Sequence, residues 1–152
     1  MRREVGPMRN WCSGVVTAIL AVVTGMWLAI PLIDSMRAGT RQQATVEAQA
    51  MTVFLTAGLV LLAVCRWIDD GRRVWRVGLV VCLVVVNSLV RVTMSPRVFG
   101  VEPVFILPFL VGVSAGPSAG FLVGAGSCLV SSMLVGTVDA PLPGQMLAWG
   151  LT

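Results

Sequence analysis

The chain has 152 residues; 57% are hydrophobic, only 12% are charged, and the formal net charge is +4. Because a soluble domain carries about 25% charged residues, this composition argues against a water-soluble globule, and the high apolar content excludes intrinsic disorder. The basic residues are eleven arginines, and the chain has no lysine, histidine or tyrosine. Those absences exclude a Ser-His or Cys-His dyad, a lysine Schiff base, a Walker A lysine and a His-ligated metal. We therefore predict an all-α, polytopic transmembrane helix bundle that is not an enzyme.

Long apolar runs predict the first three membrane spans. Span 1 covers 11–33, which is uncharged and longer than the apolar core of a signal peptide; an uncleaved signal anchor is the alternative. Span 2 is predicted over 49–65, after a polar loop at 34–48, and span 3 over 74–92, after a charged loop at 66–76. The longest of these runs meets the requirement of about 20 apolar residues for crossing the ~30 Å hydrocarbon layer, and the other two come close to it.

The second half of the chain is less regular. A shorter apolar run at 103–115 predicts a short fourth span, which Pro108 should kink or break. Span 5 is predicted over 118–135. Residues 145–152 open another apolar segment that stops before it could cross a bilayer, so we expect the bundle to be C-terminally incomplete.

The arginines predict an orientation and the spans predict a division of the chain. With alternating spans, seven arginines fall on the side of the N-terminus and four on the opposite side, which favours a cytoplasmic N-terminus in the cell membrane. Residues 1–73 form an N-terminal tail with two spans, and residues 74–152 form a core. No dense basic patch indicates nucleic-acid binding.

Glycines at a spacing of four residues predict a helix-packing face. They are Gly112, Gly116, Gly120 and Gly124. Small residues at this spacing let two membrane helices approach closely. The face either packs within the chain's own bundle, which we favour, or slides against a partner helix.

Two further sequence features are weak indications of chemistry. Cys12, Cys65, Cys82 and Cys128 lie in or beside apolar runs without metal-ligand spacing, and we interpret them as packing residues rather than a disulfide framework. Ser118 lies in a G-x-S-x-G sequence, but no strand precedes it and the chain offers no histidine or lysine to accept its proton.

Polar and aromatic residues at the predicted outer ends of the spans are the candidate substrate-binding residues. They are Asn87, Arg91, Glu102, Phe105, Gln145 and Trp149. A charge inside a membrane costs roughly 2.5–3.5 kcal/mol on insertion scales, so it usually faces a partner or a cavity, which predicts a polar pocket open to the outside. The alternative is that Arg91 extends to the lipid headgroups and that Glu102 merely lies at a helix N-terminus.

Residues 91–152 resemble a known family. The sequences that carry the resemblance are GVEPVF (100–105), GPxxGFxxG (116–124) and PGQMLAWG (143–150). They are similar to the substrate-specificity subunit, or S component, of energy-coupling factor (ECF) transporters of the actinobacterial type. Spans 1 and 2 match only in hydropathy and loop layout.

The resemblance implies a multi-pass membrane subunit that captures a vitamin or similar micronutrient from outside and binds no cofactor. Release inside would depend on a scaffold membrane subunit and two cytoplasmic ATPase subunits. In this interpretation Arg91 and Glu102 fix charge, Phe105 and Trp149 stack on a flat ring, and Asn87 and Gln145 contact polar edges. The alternative is a non-catalytic interaction or assembly protein that packs through small-residue helix faces.

Overall fold

The computed structural model describes residues 11–33, 41–93, 103–136 and 141–151, with the backbone alone for 30–33, 41–45 and 103. Of these residues 93% are helical and none is in a strand, which confirms the predicted all-α class. The helices are α1 (Trp11–Ile33), α2 (Arg41–Asp69), α3 (Val74–Thr93), α4 (Ile106–Ala115), α5 (Pro117–Val135) and α6 (Leu142–Gly150). A 3-10 turn (Pro103–Phe105) precedes α4.

Within the described ranges, four helices are long and apolar enough to cross a membrane. They are α1, α2, α3 and α5, the same four runs that hydropathy selected as full-length spans. With ten residues, α4 reaches only about 15 Å. The structure therefore supports a membrane-embedded chain with transmembrane helices.

The second helix is longer than the predicted span at 49–65. It runs over Arg41–Asp69, because the polar residues before the apolar run are mostly good helix formers and continue the helix beyond the bilayer-length segment. The predicted charged loop at 66–76 shrinks to a tight turn between α2 and α3. Gly71 and Arg72 both have positive φ there, at 70° and 59°.

The predicted kink at Pro108 is wrong. The α4 helix is continuous through this proline, which is its third residue. The first four N–H groups of a helix have no intrahelical partner, so proline removes no hydrogen bond at this position. The irregularity lies earlier, where the 3-10 turn ending at Phe105 gives way to the α-helix.

The fifth helix forms the centre of the bundle. In the membrane-length segment of α5, 72% of the residues are buried, against 17% in α1 and 11% in α3. The α5 helix contacts all five of the other described helices. Small side chains make this possible because they let neighbouring backbones approach. A Cβ atom at Gly120 would lie 2.8 Å from the Gly112 Cα, and one at Gly124 would overlap the Trp149 carbonyl. These glycines therefore face α4 and α6 of the same chain.

The turn between α4 and α5 depends on Gly116. Its φ of 97° is a conformation that side chains rarely adopt, and the next residue, Pro117, begins α5 at a position that proline favours. This tight turn brings α4 and α5 side by side. The α2–α3 turn lies at the same end of the bundle, since Arg66 near the end of α2 contacts Ala115 and Ser118 on either side of Gly116.

Candidate functional site

Arg91 is directed into the bundle rather than towards the lipid headgroups. It lies in the last turn of α3, and its Nη1 donates to the Ser131 Oγ at 2.6 Å and the Ser132 Oγ at 3.3 Å on α5. The Cys128 carbonyl lies further away, at 3.4 Å. Since Nη1 carries two hydrogens, the two serines suffice to occupy it. This geometry does not fit the alternative in which Arg91 extends to the lipid headgroups.

Two aromatic rings complete this cluster. The Arg91 guanidinium carbon lies 4.5 Å from the centroid of the Trp149 ring, within cation–π range. The Phe105 ring meets Trp149 edge-on, with centroids 5.1 Å apart. The structure thus brings together three of the six predicted residues from α3, the 3-10 turn and α6. We call Arg91, Phe105, Ser131 and Trp149 the outer cluster, after the side of the membrane that the arginine distribution predicts for this end of the bundle.

The outer cluster contains a cation without an acidic partner in the described part of the chain. No carboxylate there lies within 4.0 Å of the Arg91 nitrogens, and no hydrogen bond there involves its Nε or Nη2. The side chain is only half-buried, so it remains reachable. Nε and Nη2 form the edge of a guanidinium that binds a carboxylate through two parallel hydrogen bonds. The geometry suits recognition of an anion beside the half-buried ring of Phe105.

The other three predicted residues have different positions. Asn87 lies one turn before Arg91 on α3; it is 1% exposed, and its Nδ2 has no hydrogen-bond partner among the residues that the structure describes. Gln145 is exposed on α6, one turn before Trp149. Glu102 lies outside the described residues, as do 94–101 and 137–140 of the predicted outer loops.

A second polar cluster lies at the opposite end of the bundle. Arg66 of α2 is 8% exposed and donates to the Ser118 Oγ at 3.1 Å and to the Ala115 carbonyl. Its Nε lies 3.5 Å from Asp70 Oδ2, while Arg76 Nη1 donates to Asp70 Oδ1 at 3.0 Å. We call Arg66, Asp70, Arg76 and Ser118 the inner cluster.

The inner cluster fastens four helices together. The Arg66 guanidinium donates to the carbonyl of Ala115, the last residue of α4, which has no hydrogen-bond partner within its own helix. Asp70 then joins α2 to α3 through its two arginines. Sequence reasoning placed Arg66 in a loop and missed this role, although an arginine four residues before an aspartate was a usable indication.

Ser118 takes part in this framework. Its Oγ donates to the Ser13 Oγ of α1 at 3.4 Å and accepts from Arg66. A guanidinium stays protonated and cannot accept the serine proton. The geometry around Ser118 is therefore that of a packing residue, and it gives no support to the G-x-S-x-G hydrolase alternative.

The cysteines are not equivalent. The Cys12 and Cys65 sulfurs, on α1 and α2, lie 2.8 Å apart, although 53 positions separate them in the chain. Cys82 is exposed on α3, and Cys128 is buried beside Arg91. The packing interpretation thus misses a close thiol pair, because a single sequence does not reveal which faces of two helices meet.

The described residues offer no metal site. Across 11–33, 41–93, 103–136 and 141–151, no group of three or more histidine, cysteine, aspartate or glutamate residues could hold a metal ion. Comparison with protein-family models, curated proteins and solved structures yields no match to this chain.

Proposed function

We propose that this chain is the membrane-embedded, substrate-binding subunit of an ECF-type micronutrient importer, and that its substrate is an anion. The single observation that carries the proposal is Arg91, a reachable cation without an acidic partner in the described part of the chain. The importer class comes from the sequence resemblance of residues 91–152.

The outer cluster supplies both halves of such a binding site. Ser131 and Trp149 hold the guanidinium from one edge and one face, so that its other edge is oriented before a ligand arrives. A carboxylate on that edge forms charge-assisted hydrogen bonds, which are strong where water is scarce. Phe105 is half-buried and offers apolar ring surface to the rest of the ligand, while the buried Trp149 ring supports both Phe105 and the guanidinium.

Charge placement favours capture from outside. Arg76 and Arg91 lie near opposite ends of α3, about 22 Å apart along the helix axis. The turn at 70–73 and its neighbours carry most of the nearby arginines, which favours that end as cytoplasmic. The outer cluster then faces the exterior of the cell membrane. In this proposal a scaffold membrane subunit and two cytoplasmic ATPase subunits drive release.

Thermal-shift measurements on the purified full chain test the proposal. The probes are pantothenate and biotin, which carry carboxylates, and thiamine, a cation that serves as the mismatched control. We expect a carboxylate probe, and not thiamine, to raise the unfolding temperature, and Arg91→Gln to abolish the rise. The matched control is Arg72→Gln, which removes an exposed arginine at the other end of the bundle. Stabilisation by thiamine alone, or one that survives Arg91→Gln, contradicts the proposal.

A specific observation also favours the assembly alternative. The α1 and α3 helices bury little of their surface, and a Cβ added at Gly14, Gly25 or Gly78 would meet nothing within 4 Å. Such open small-residue faces suit another transmembrane helix. A stable membrane partner other than an ATPase complex, together with no small molecule in the purified protein, favours assembly. Loss of that partner on Gly25→Leu would place it on α1.

A further inference from the structure

We infer that Cys12 and Cys65 form a reversible disulfide site, which ties the start of α1 to the last part of α2. Their sulfur atoms lie 2.8 Å apart, and a disulfide bond is about 2.05 Å long. Closure therefore needs the two sulfurs to move together by about 0.8 Å. The same two helices supply both thiols, so the bond would form within one chain.

Neighbouring contacts keep this pair in register. Ser13, which follows Cys12, donates its backbone N–H to Asp69 Oδ2 at 2.9 Å, and Asp69 lies one turn beyond Cys65. Ser13 also accepts a hydrogen bond from Ser118 of α5 at 3.4 Å. Two contacts beside the thiols therefore fix the height of α1 against α2 and α5. The proximity of the sulfurs is part of an organised helix junction.

The two thiols differ in access, which sets the order of the reaction. Cys12 is exposed in the first turn of α1, whereas Cys65 is buried beneath it. A small disulfide is therefore attacked first by the Cys12 thiolate, which forms a mixed disulfide and releases one small thiol. Cys65 then attacks the Cys12 sulfur and releases the second. The protein loses two hydrogens, and the small disulfide, which gains them, is reduced to two thiols.

The bond would stabilise a helix that the rest of the bundle covers only slightly. Only 17% of the residues in the membrane-length segment of α1 are buried, and the main neighbour of α1 is α2. A cross-link between residues 12 and 65 reduces the number of conformations open to the unfolded chain, which raises the free energy of unfolding. The outer cluster contains neither cysteine and lies at the other end of the bundle, so ligand binding there stays unchanged.

Oxidation of the full chain with oxidised glutathione tests the inference. After oxidation, the free thiols are alkylated under denaturing conditions, and intact mass and peptide mapping locate the modified cysteines. We expect a mass lower by two hydrogens before alkylation, a peptide that links Cys12 to Cys65, and full reversal by dithiothreitol. The oxidised protein should also melt higher by about 10 °C.

Substitutions provide the controls. Cys12→Ser and Cys65→Ser should each abolish the linked peptide, whereas Cys82→Ser, at an exposed cysteine on another helix, should leave it intact. The wild-type map is decisive even if Cys65→Ser does not fold. A stable glutathione adduct on Cys12 with Cys65 still open to alkylation overturns the inference, as does a linked peptide that contains Cys82.

Discussion

Arg66 and Arg91 both lie in apolar helices, but their surroundings differ, and the difference separates a structural role from a binding role. Arg66 is 8% exposed and has an aspartate, a serine and a helix-terminal carbonyl as partners. Arg91 is half-buried and contacts serines and an indole, with no carboxylate nearby in the part of the chain that the structure describes. A fully partnered cation holds helices together, whereas one that lacks an anion is suited to receive one.

Replacing Arg66 and Arg91 each by leucine tests this comparison. We expect the larger effect on stability at Arg66, in the inner cluster. Arg66→Leu leaves Asp70 and the Ala115 carbonyl with one partner fewer inside the protein. Removing one member of a buried ion pair typically costs about 3–5 kcal/mol. We expect a loss of that order in the free energy of unfolding in mixed micelles. Arg73→Leu, at an exposed arginine of the adjacent turn, is the control and should change the free energy of unfolding little.

Gly124→Ala tests how the outer cluster is positioned. Its new Cβ would overlap the Trp149 carbonyl, so α6 must move away from α5. Overpacking of this kind costs up to about 3 kcal/mol and should shift the tryptophan fluorescence. Gly25→Ala is the matched control, since a Cβ there meets nothing within 4 Å. Because alanine favours a helix, that variant should be neutral or stabilised by up to about 1 kcal/mol. Equal losses in both variants contradict the packing described for α6.

Arg91→Leu should separate stability from binding. Because no acidic partner in the described part of the chain depends on this arginine, we expect the free energy of unfolding to stay within about 1 kcal/mol of the wild type or to rise. Ligand affinity should fall at least tenfold, since a charge-assisted hydrogen bond contributes about 1.5–3 kcal/mol. A destabilisation as large as that of Arg66→Leu would instead make Arg91 a second structural clamp.

Hydropathy identified the membrane-length helices because the bilayer fixes the length of an apolar helix. It also placed Arg91, Phe105 and Trp149 at one end of the bundle, since depth follows from position along each span. It could not tell which helix faces meet. For that reason the contact of Arg66 with the α4–α5 turn and the pairing of Cys12 with Cys65 required coordinates.

Asn87, one turn before Arg91 on α3, gives the smallest expected change in stability. Its buried Nδ2 has no hydrogen-bond partner in the described ranges, and such an unsatisfied group typically costs about 1–3 kcal/mol. Asn87→Leu, which is similar in volume, should therefore stabilise the protein by about 1 kcal/mol in the same unfolding assay. Ser88→Ala is the control, because Ser88 is equally buried but donates to the Val84 carbonyl at 2.7 Å. A loss of stability in Asn87→Leu would show that this amide does have a partner in the folded protein.

Native mass spectrometry of the protein purified from its own host tests the central claim most directly, because it detects a bound anion without prior choice of a ligand. We predict that the wild-type chain and Arg72→Gln carry a small negatively charged molecule that Arg91→Gln lacks. The same bound molecule on all three proteins, or none on any of them, contradicts the assignment of Arg91 as the anion-binding residue.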